Sequence, residues 1–448
     1  MSLLRIDREL ARHSYYADSA LRDRRHEALD AEVQCDVAIV GGGLAGLSAA
    51  IELARRGRSV RLLEAQQIGA GASGRNGGQA IHGLACDVAT IEAQLGLDES
   101  RRVFGMTLEA LDLLRQRCAE FGIQADWRDG YLGVATSEGK ARELLAGADH
   151  LERHYGHAMQ RIPREQIGQW IQSPRYVAGV HDPRSGHLHP LKYTLGLARA
   201  AAGLGVLLHE DTPVQALQAH ATGPATLVTP RGRVRAQQVL LAGNVLLQEL
   251  APQIAPQIAP RIMPVGTYIV ASAPLPQEQA LALIPSGSAV CDNNFVLDYF
   301  RFAPDTTPDT APGQVRMLYG GRVSYSRATP MNLAEGMRQR MAATLPALAG
   351  LGVTHAWGGF VDISMNRAPD FGRLPGRPQV YYLQGFSGHG LALTGLAGRL
   401  VAEAMAGDAE RFDTLARLHH RPFPGGRWLR TPSLVLGMAW YRLKDALA

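Results

Sequence analysis

The sequence predicts an α/β protein, α+β overall: a Rossmann-like dinucleotide-binding domain assembled from discontinuous segments, plus an inserted β-rich domain. Three observations point there. A strand–glycine–helix–strand unit opens the chain after residue 32, short β runs crowd the middle, and a strand–glycine–helix pattern returns near residue 385. With 448 residues, 46% of them hydrophobic and 19% charged, the chain is globular in composition and long enough for two or three domains.

Residues 1–32 are charged and read as a helical arm. Residues 36–40 (DVAIV) form a strand, interrupted by Gly41, Gly42 and Gly43. Residues 44–56 carry apolar side chains at helical spacing, with Gly57 as the stop, and 59–64 (SVRLLE) form the second strand. Helices are expected at 98–121, 138–155 and 191–203. β runs follow at 206–209, 213–218, 225–229 and 239–242, with a turn near 230–232. The segment 251–260 (APQIAPQIAP) reads as a stiff connector. Further strands are expected at 267–271, 295–302 and 315–319, a helix at 332–349, a strand at 381–383 and a helix at 391–406. This order divides the chain into an arm (1–32), a dinucleotide domain (33–115, 178–260 and 350–415), a substrate-binding domain (116–177 and 261–349) and a tail (416–448).

Several function classes are excluded. Net charge is +5, but the basic residues are scattered among acids, without the clustered stripe that nucleic-acid binding would use. No apolar run reaches ~20 residues, so no transmembrane segment is expected. The N-terminus lacks the apolar core of a secretion signal, so a cytoplasmic location is expected. Cys35, Cys86, Cys118 and Cys291 include no CxxC pair. His181, His187 and His189 read as polar loop histidines, so no metal site is expected.

The glycine pattern carries the most chemistry. Gly41-x-Gly43-x-x-Gly46 follows a strand and opens a helix, the context that gives the motif meaning. Gly41 permits the tight turn, Gly43 the approach of a pyrophosphate, and Gly46 close helix–strand packing. The helix start offers N–H groups and a positive dipole end to phosphates. Glu64 ends the second strand roughly 20 residues later, where a carboxylate accepts ribose hydroxyls. It disfavours a 2′-phosphate, and the motif alone leaves FAD and NAD open.

Two further blocks, 68–79 (IGAGASGRNGGQ) and 385–390 (GFSGHG), make the chain resemble the amine-oxidising flavoproteins of the D-amino-acid oxidase and glycine oxidase superfamily over residues 33–443. The blocks 14–20 (SYYADSA), 73–79, 186–193 (GHLHPLKY) and 367–373 (RAPDFGR) resemble its gamma-glutamylputrescine oxidoreductase branch. The resemblance implies FAD. Gly41, Gly43, Leu44, Ala45, Gly46, Glu64 and Ala65 would hold its ADP half, with Val214, Ala242 and Gly243 nearby. Ala72, Ser73, Gly74, Arg75, Asn76, Gly77, Gly78 and Gln79 would run beside the pyrophosphate and flavin ring. Gly385, Phe386, Ser387, Gly388, His389, Gly390 and Leu391 would face the flavin edge at a helix N-terminus. Relatives with covalent flavin link it through Cys or His. The corresponding blocks here lack them, so the FAD is expected to be non-covalent.

Arg75 and His389 are the catalytic candidates. Trp357, Asp362, His187 and Tyr268 are candidates for substrate contact. Glycine-oxidase-like relatives carry an arginine in a W-x-G-x-R-P stretch that clamps a substrate carboxylate. Here the stretch reads Trp357-Gly358-Gly359-Phe360-Val361-Asp362, and Val361 stands in the arginine's place. That favours a small-molecule amine without a carboxylate at its reacting end. The lysine that some oxidases place over the flavin has no counterpart at 316–321 (RMLYGG), and Lys192 is the one lysine within a motif. Oxygen is the expected electron acceptor. The alternatives are a D-amino-acid or secondary-amine oxidase or dehydrogenase, and a flavin-bearing subunit active only with a partner. The apolar tail (432–443) could touch a membrane surface or a partner, or pack on its own domain.

Overall fold

The computed structural model describes residues 3–247, 249, 256, 258–294, 296–308, 310–324 and 332–424. The apolar tail and most of the proline-rich connector therefore lie outside the described residues.

Two sheets organise the chain. The first runs, edge to edge, Asp370–Leu374, Arg377–Gln384, Arg233–Leu241, Glu32–Val40, Val60–Leu63 and Leu207–His209. The five strands from Arg377–Gln384 to Leu207–His209 are parallel, and Asp370–Leu374 pairs antiparallel at the edge. Their central apolar stretches, residues 37–39, 62–63 and 239–241, are buried on both faces, as parallel strands under helices must be. Helix Leu44–Arg55 crosses from the first strand to Val60–Leu63 and packs against helices Pro190–Gly203 and Gly390–Met405. The last contact is close: a Cβ on Gly398 would sit 2.5 Å from Ser48 Oγ. The βαβ unit read from the sequence is thus present, with ends shifted by a few residues.

Among the described residues, the second sheet has ten strands. Its path is Val353–Ser364, Ile262–Ser272, Gln314–Ser324, Tyr299–Pro304, Ala289–Asp292, Arg128–Ala135, Ala178–His187 and Gln79–Ala80. Side chains alternate across it. Phe300 and Phe302 enter the core with Met317, Tyr319, Met337 and Met341 under helix Leu333–Thr344. Tyr299, Ala303 and Leu318 enter the opposite cluster with Trp357 and the fully buried Tyr15 and Tyr16.

The structure differs from the sequence reading in several places. Ala178–His187 and Val353–Ser364, expected in the dinucleotide domain, pair within the second sheet. His181 and His187 are not loop residues: both lie on strand Ala178–His187, and His189 caps helix Pro190–Gly203. The N-terminal segment is helical only at Leu3–Leu10 and Tyr15–Ser19, and residues 21–31 run without regular structure. Its apolar residues explain its position: Leu3, Ile6 and Leu10 bury against Val245, Tyr268 and Phe360. No helix among the described residues is long and apolar enough to cross a membrane.

Candidate active site

The first strand and helix meet at the glycine turn with no room for side chains. Gly41 has φ +114°, and a Cβ there would lie 2.5 Å from Ala242 O. A Cβ on Gly46 would overlap Gly41 O, and one on Gly43 would lie 2.7 Å from Ser73 Oγ. Ala242 N–H donates to Val40 O at 2.8 Å, which sets 242–243 against the turn. Leu44 N–H, at the helix start, donates to Ser73 Oγ at 2.9 Å. Glu64 stands at the end of its strand with each carboxylate oxygen anchored: Oε2 accepts from Gly42 N–H at 2.7 Å and Oε1 from Gln66 N–H at 2.9 Å. Burial raises the Glu64 pKa, and the two N–H groups oppose that rise. Thr212 N–H donates to Glu64 O at 2.8 Å, so the stretch leading to Val214 runs alongside. An anion-ready helix start, a glycine cradle and an anchored carboxylate with free lone pairs suit the ADP half of a dinucleotide.

The 72–79 block continues from this turn and is shaped by its own side chains. Asn76 Nδ2 donates to Ala72 O and Ser73 O, both at 3.0 Å, and Asn76 Oδ1 accepts from Gly78 N–H at 2.8 Å. A Cβ on Gly74 would overlap Gly69 O, and one on Gly77 would press on the Tyr299 ring at 2.7 Å. Gln79 reaches Val290 O at 3.0 Å, tying the block to the second sheet.

Arg75 does not stand free over a cleft. Its buried guanidinium is ion-paired with Asp7, and it also donates to Asp7 O and Gly358 O, each at 2.9 Å, and to Gly71 O at 3.3 Å. Each of its nitrogens therefore has a protein acceptor. Trp357 Nε1 donates to Arg75 O at 3.0 Å. Asp362 is equally committed: Oδ2 accepts from Gly385 N–H at 2.6 Å, and Asp362 O accepts from Ser387 N–H at 3.1 Å. Burial lifts the Asp362 carboxyl to about 6 despite the backbone N–H groups of 385–387 around it. The geometry makes Asp362 the anchor of the second glycine loop rather than a free anion.

His389 caps helix Gly390–Met405, with Nε2 2.9 Å from His82 O. A carbonyl only accepts, so Nε2 carries the hydrogen and Nδ1 the lone pair. Burial lowers its pKa to about 4. His187 is likewise neutral. Its Nε2 lies 3.0 Å from Gly287 O and its Nδ1 3.4 Å from Arg301 Nη1, and burial with the Arg301 charge brings it to about 3. Tyr268 packs in the cluster beneath the N-terminal helix. Lys192 is held by Asp126 at 2.7 Å.

Several residues here escaped the sequence reading. Arg301 is fully buried beside the 72–79 block. Among the described residues it donates to Gly77 O at 2.7 Å and Tyr16 OH at 3.1 Å and faces His187, none of them a carboxylate. Its position between Phe300 and Phe302, where a strand alternates faces, was the available signal. Asp7 and the cluster of His82, His157 and Asp182 left no local signal, because their partners are remote in sequence.

The fold and this site define a dinucleotide-binding class, and comparison with known proteins makes it a flavoprotein class. The "FAD dependent oxidoreductase" family matches residues 36–404, so the chain belongs to that family and is an FAD-dependent oxidoreductase. It is 38% identical over 435 residues to gamma-glutamylputrescine oxidoreductase of Escherichia coli, covering 97% of this chain and 98% of that one. It is 25% identical over 393 residues to glycine oxidase of Geobacillus kaustophilus, covering 84% and 94%. The crystal structure of a glycine oxidase from that organism superposes with a TM-score of 0.69 at 22% identity, covering 83% of this chain and 95% of that one.

Proposed function

We propose that the chain oxidises the primary amine of an N-acylated diamine, gamma-glutamylputrescine or a close analogue, in the cytoplasm. FAD, held non-covalently, would supply the hydride acceptor for the carbon bearing the neutral amine, with oxygen as the final electron acceptor and hydrogen peroxide as its product. Water hydrolyses the resulting imine to an aldehyde and ammonia. The chain's own residues hold and orient. Gly41, Gly43, Gly46, Leu44 and Glu64 would bind the ADP half. The 72–79 block and the 385–391 loop, anchored by Asp362, would flank the ring. Neutral His389 and His187 keep extra positive charge out of the interior, which suits a neutral amine.

The observation that carries the substrate reading is Val361. It sits in an apolar group with Met263, Val265 and Phe423, and strand Val353–Ser364 has no Arg or Lys to fork a carboxylate. End-to-end similarity to gamma-glutamylputrescine oxidoreductase supports the same reading. A second reading, an α-amino acid or secondary amine such as D-alanine or sarcosine, draws on Arg301, a buried cation without a carboxylate among its bonded partners. Anaerobic additions to the holoenzyme separate the two. Gamma-glutamylputrescine is expected to bleach the flavin, with peroxide formed on admitting air, while glycine, D-alanine and sarcosine leave it yellow. Bleaching by α-amino acids alone would overturn the proposal.

A further inference from the structure

Three segments remote in sequence bring two imidazoles and a carboxylate to one point beside the 72–79 and 385–391 blocks. His82 follows strand Gln79–Ala80, and Asp182 lies within strand Ala178–His187. His157 follows Gly156, the left-handed cap of helix Glu138–Tyr155. His82 Nδ1 lies 2.7 Å and His157 Nε2 3.6 Å from Asp182 Oδ2, and the candidate donor atoms all fall within 4.8 Å of one another. The two imidazole centroids are 4.5 Å apart, and the Phe104 ring covers them at 6.0 and 5.5 Å. The carboxylate is braced from behind. Ser185 Oγ donates to Oδ2 at 2.5 Å, and Arg184 N–H to Oδ1 at 3.0 Å.

One atom in this group is held only loosely by the protein. His157 is 6% exposed, and its buried Nε2 has Asp182 Oδ2 as its partner at 3.6 Å, too long for a good hydrogen bond. Buried polar atoms are almost always closely bonded, so a 3.6 Å gap between two donor atoms, with a third within 4.8 Å, leaves room for an ion to bridge them.

We propose that His82, His157 and Asp182 form a site for a divalent transition-metal ion of the zinc type, with water taking the fourth coordination position. Two imidazoles and one carboxylate are a donor set that such ions favour. Metal–ligand distances of about 2.0–2.2 Å ask for donor separations somewhat above 3 Å, close to the His157–Asp182 spacing. The shorter His82–Asp182 contact opens when the imidazole gives its lone pair to the ion instead of a hydrogen to the carboxylate. Ser185 and Arg184 supply the outer hydrogen bonds that hold a ligating carboxylate in place. The ion would pin the segment after the 72–79 block to the second sheet and to the end of helix Glu138–Tyr155. Because His82 O accepts from His389, it would also steady the loop at 385–390.

The test uses the intact flavin-loaded protein. After chelator treatment and removal of chelator, it is equilibrated with Zn2+ and passed through a desalting column, and bound metal is counted by mass spectrometry. The expected result is one Zn2+ retained per chain, a raised melting temperature, and, with Co2+ as probe, ligand-field absorption to the red of the flavin bands. His157→Ala and Asp182→Asn weaken retention by at least about tenfold while keeping flavin. His150→Ala, outside the cluster, leaves retention unchanged. If His157→Ala loses flavin, His157→Gln carries the same comparison. No Zn2+ on the wild-type protein, or equal retention by flavin-bearing His157 variants, overturns the proposal.

Discussion

Adding one methyl group to Gly46 drives it into the Gly41 carbonyl at the heart of the dinucleotide turn. Gly46→Ala is therefore expected to purify without flavin absorbance. Gly147→Ala, on an exposed helix with open space around it, keeps full flavin and gains up to about 1 kcal/mol of stability. Buried titrating groups give a second prediction. The Asp362 carboxyl titrates near 6 when folded and near 3.8 when free. Between those values the unfolded chain has lost this proton and the folded chain has not, so the group lowers stability as pH rises through the window. His389 does the opposite: near 4 when folded and 6.5 when free, it raises stability as pH climbs from about 4 to 6.5. Melting temperature against pH is expected to lose the falling contribution in Asp362→Asn and the rising one in His389→Gln. Asp292, also raised to about 6, contributes equally to every curve and cancels in the comparison.

At the scale of elements, the N-terminal helix is locked to the 72–79 block by the buried Arg75–Asp7 pair. Removing one partner strands the other charge, so Asp7→Asn and Arg75→Gln are each expected to cost about 3 kcal/mol in denaturant unfolding. The double variant is expected to cost clearly less than the sum. Elements whose patterns were local were legible: the βαβ unit, helix Glu138–Tyr155 and helix Gly390–Met405 fall where periodicity and glycines put them. Strand Ala178–His187 was not, because its run AGVHDPRSGH carries Asp, Pro, Arg and Ser. Its flanking strands and the bonds made by Asp182 and Ser185 override its weak β propensity.

In the whole molecule, residues 72–79 link the two sheets, since they begin beside the glycine turn and end paired in the second sheet. Flavin removal is therefore expected to lower the melting temperature of the entire chain, and excess FAD to restore it. At a thousandfold excess over Kd the gain is about 4 kcal/mol. Separate melting of two halves in the apoprotein would contradict this coupling.

The amino-acid sequence by itself determined the dinucleotide turn, the acidic strand end, the two glycine blocks and the absence of an arginine at Val361. Each is written in residues close together, where backbone sterics and hydrogen bonding act locally. Tertiary structure alone decided that Arg75 is held by Asp7, that Asp362 grips the 385–387 backbone, that Arg301 is buried against Gly77, and that His82, His157 and Asp182 converge. Those pairings join segments tens to hundreds of residues apart, and their strength comes from burial, which no local pattern encodes.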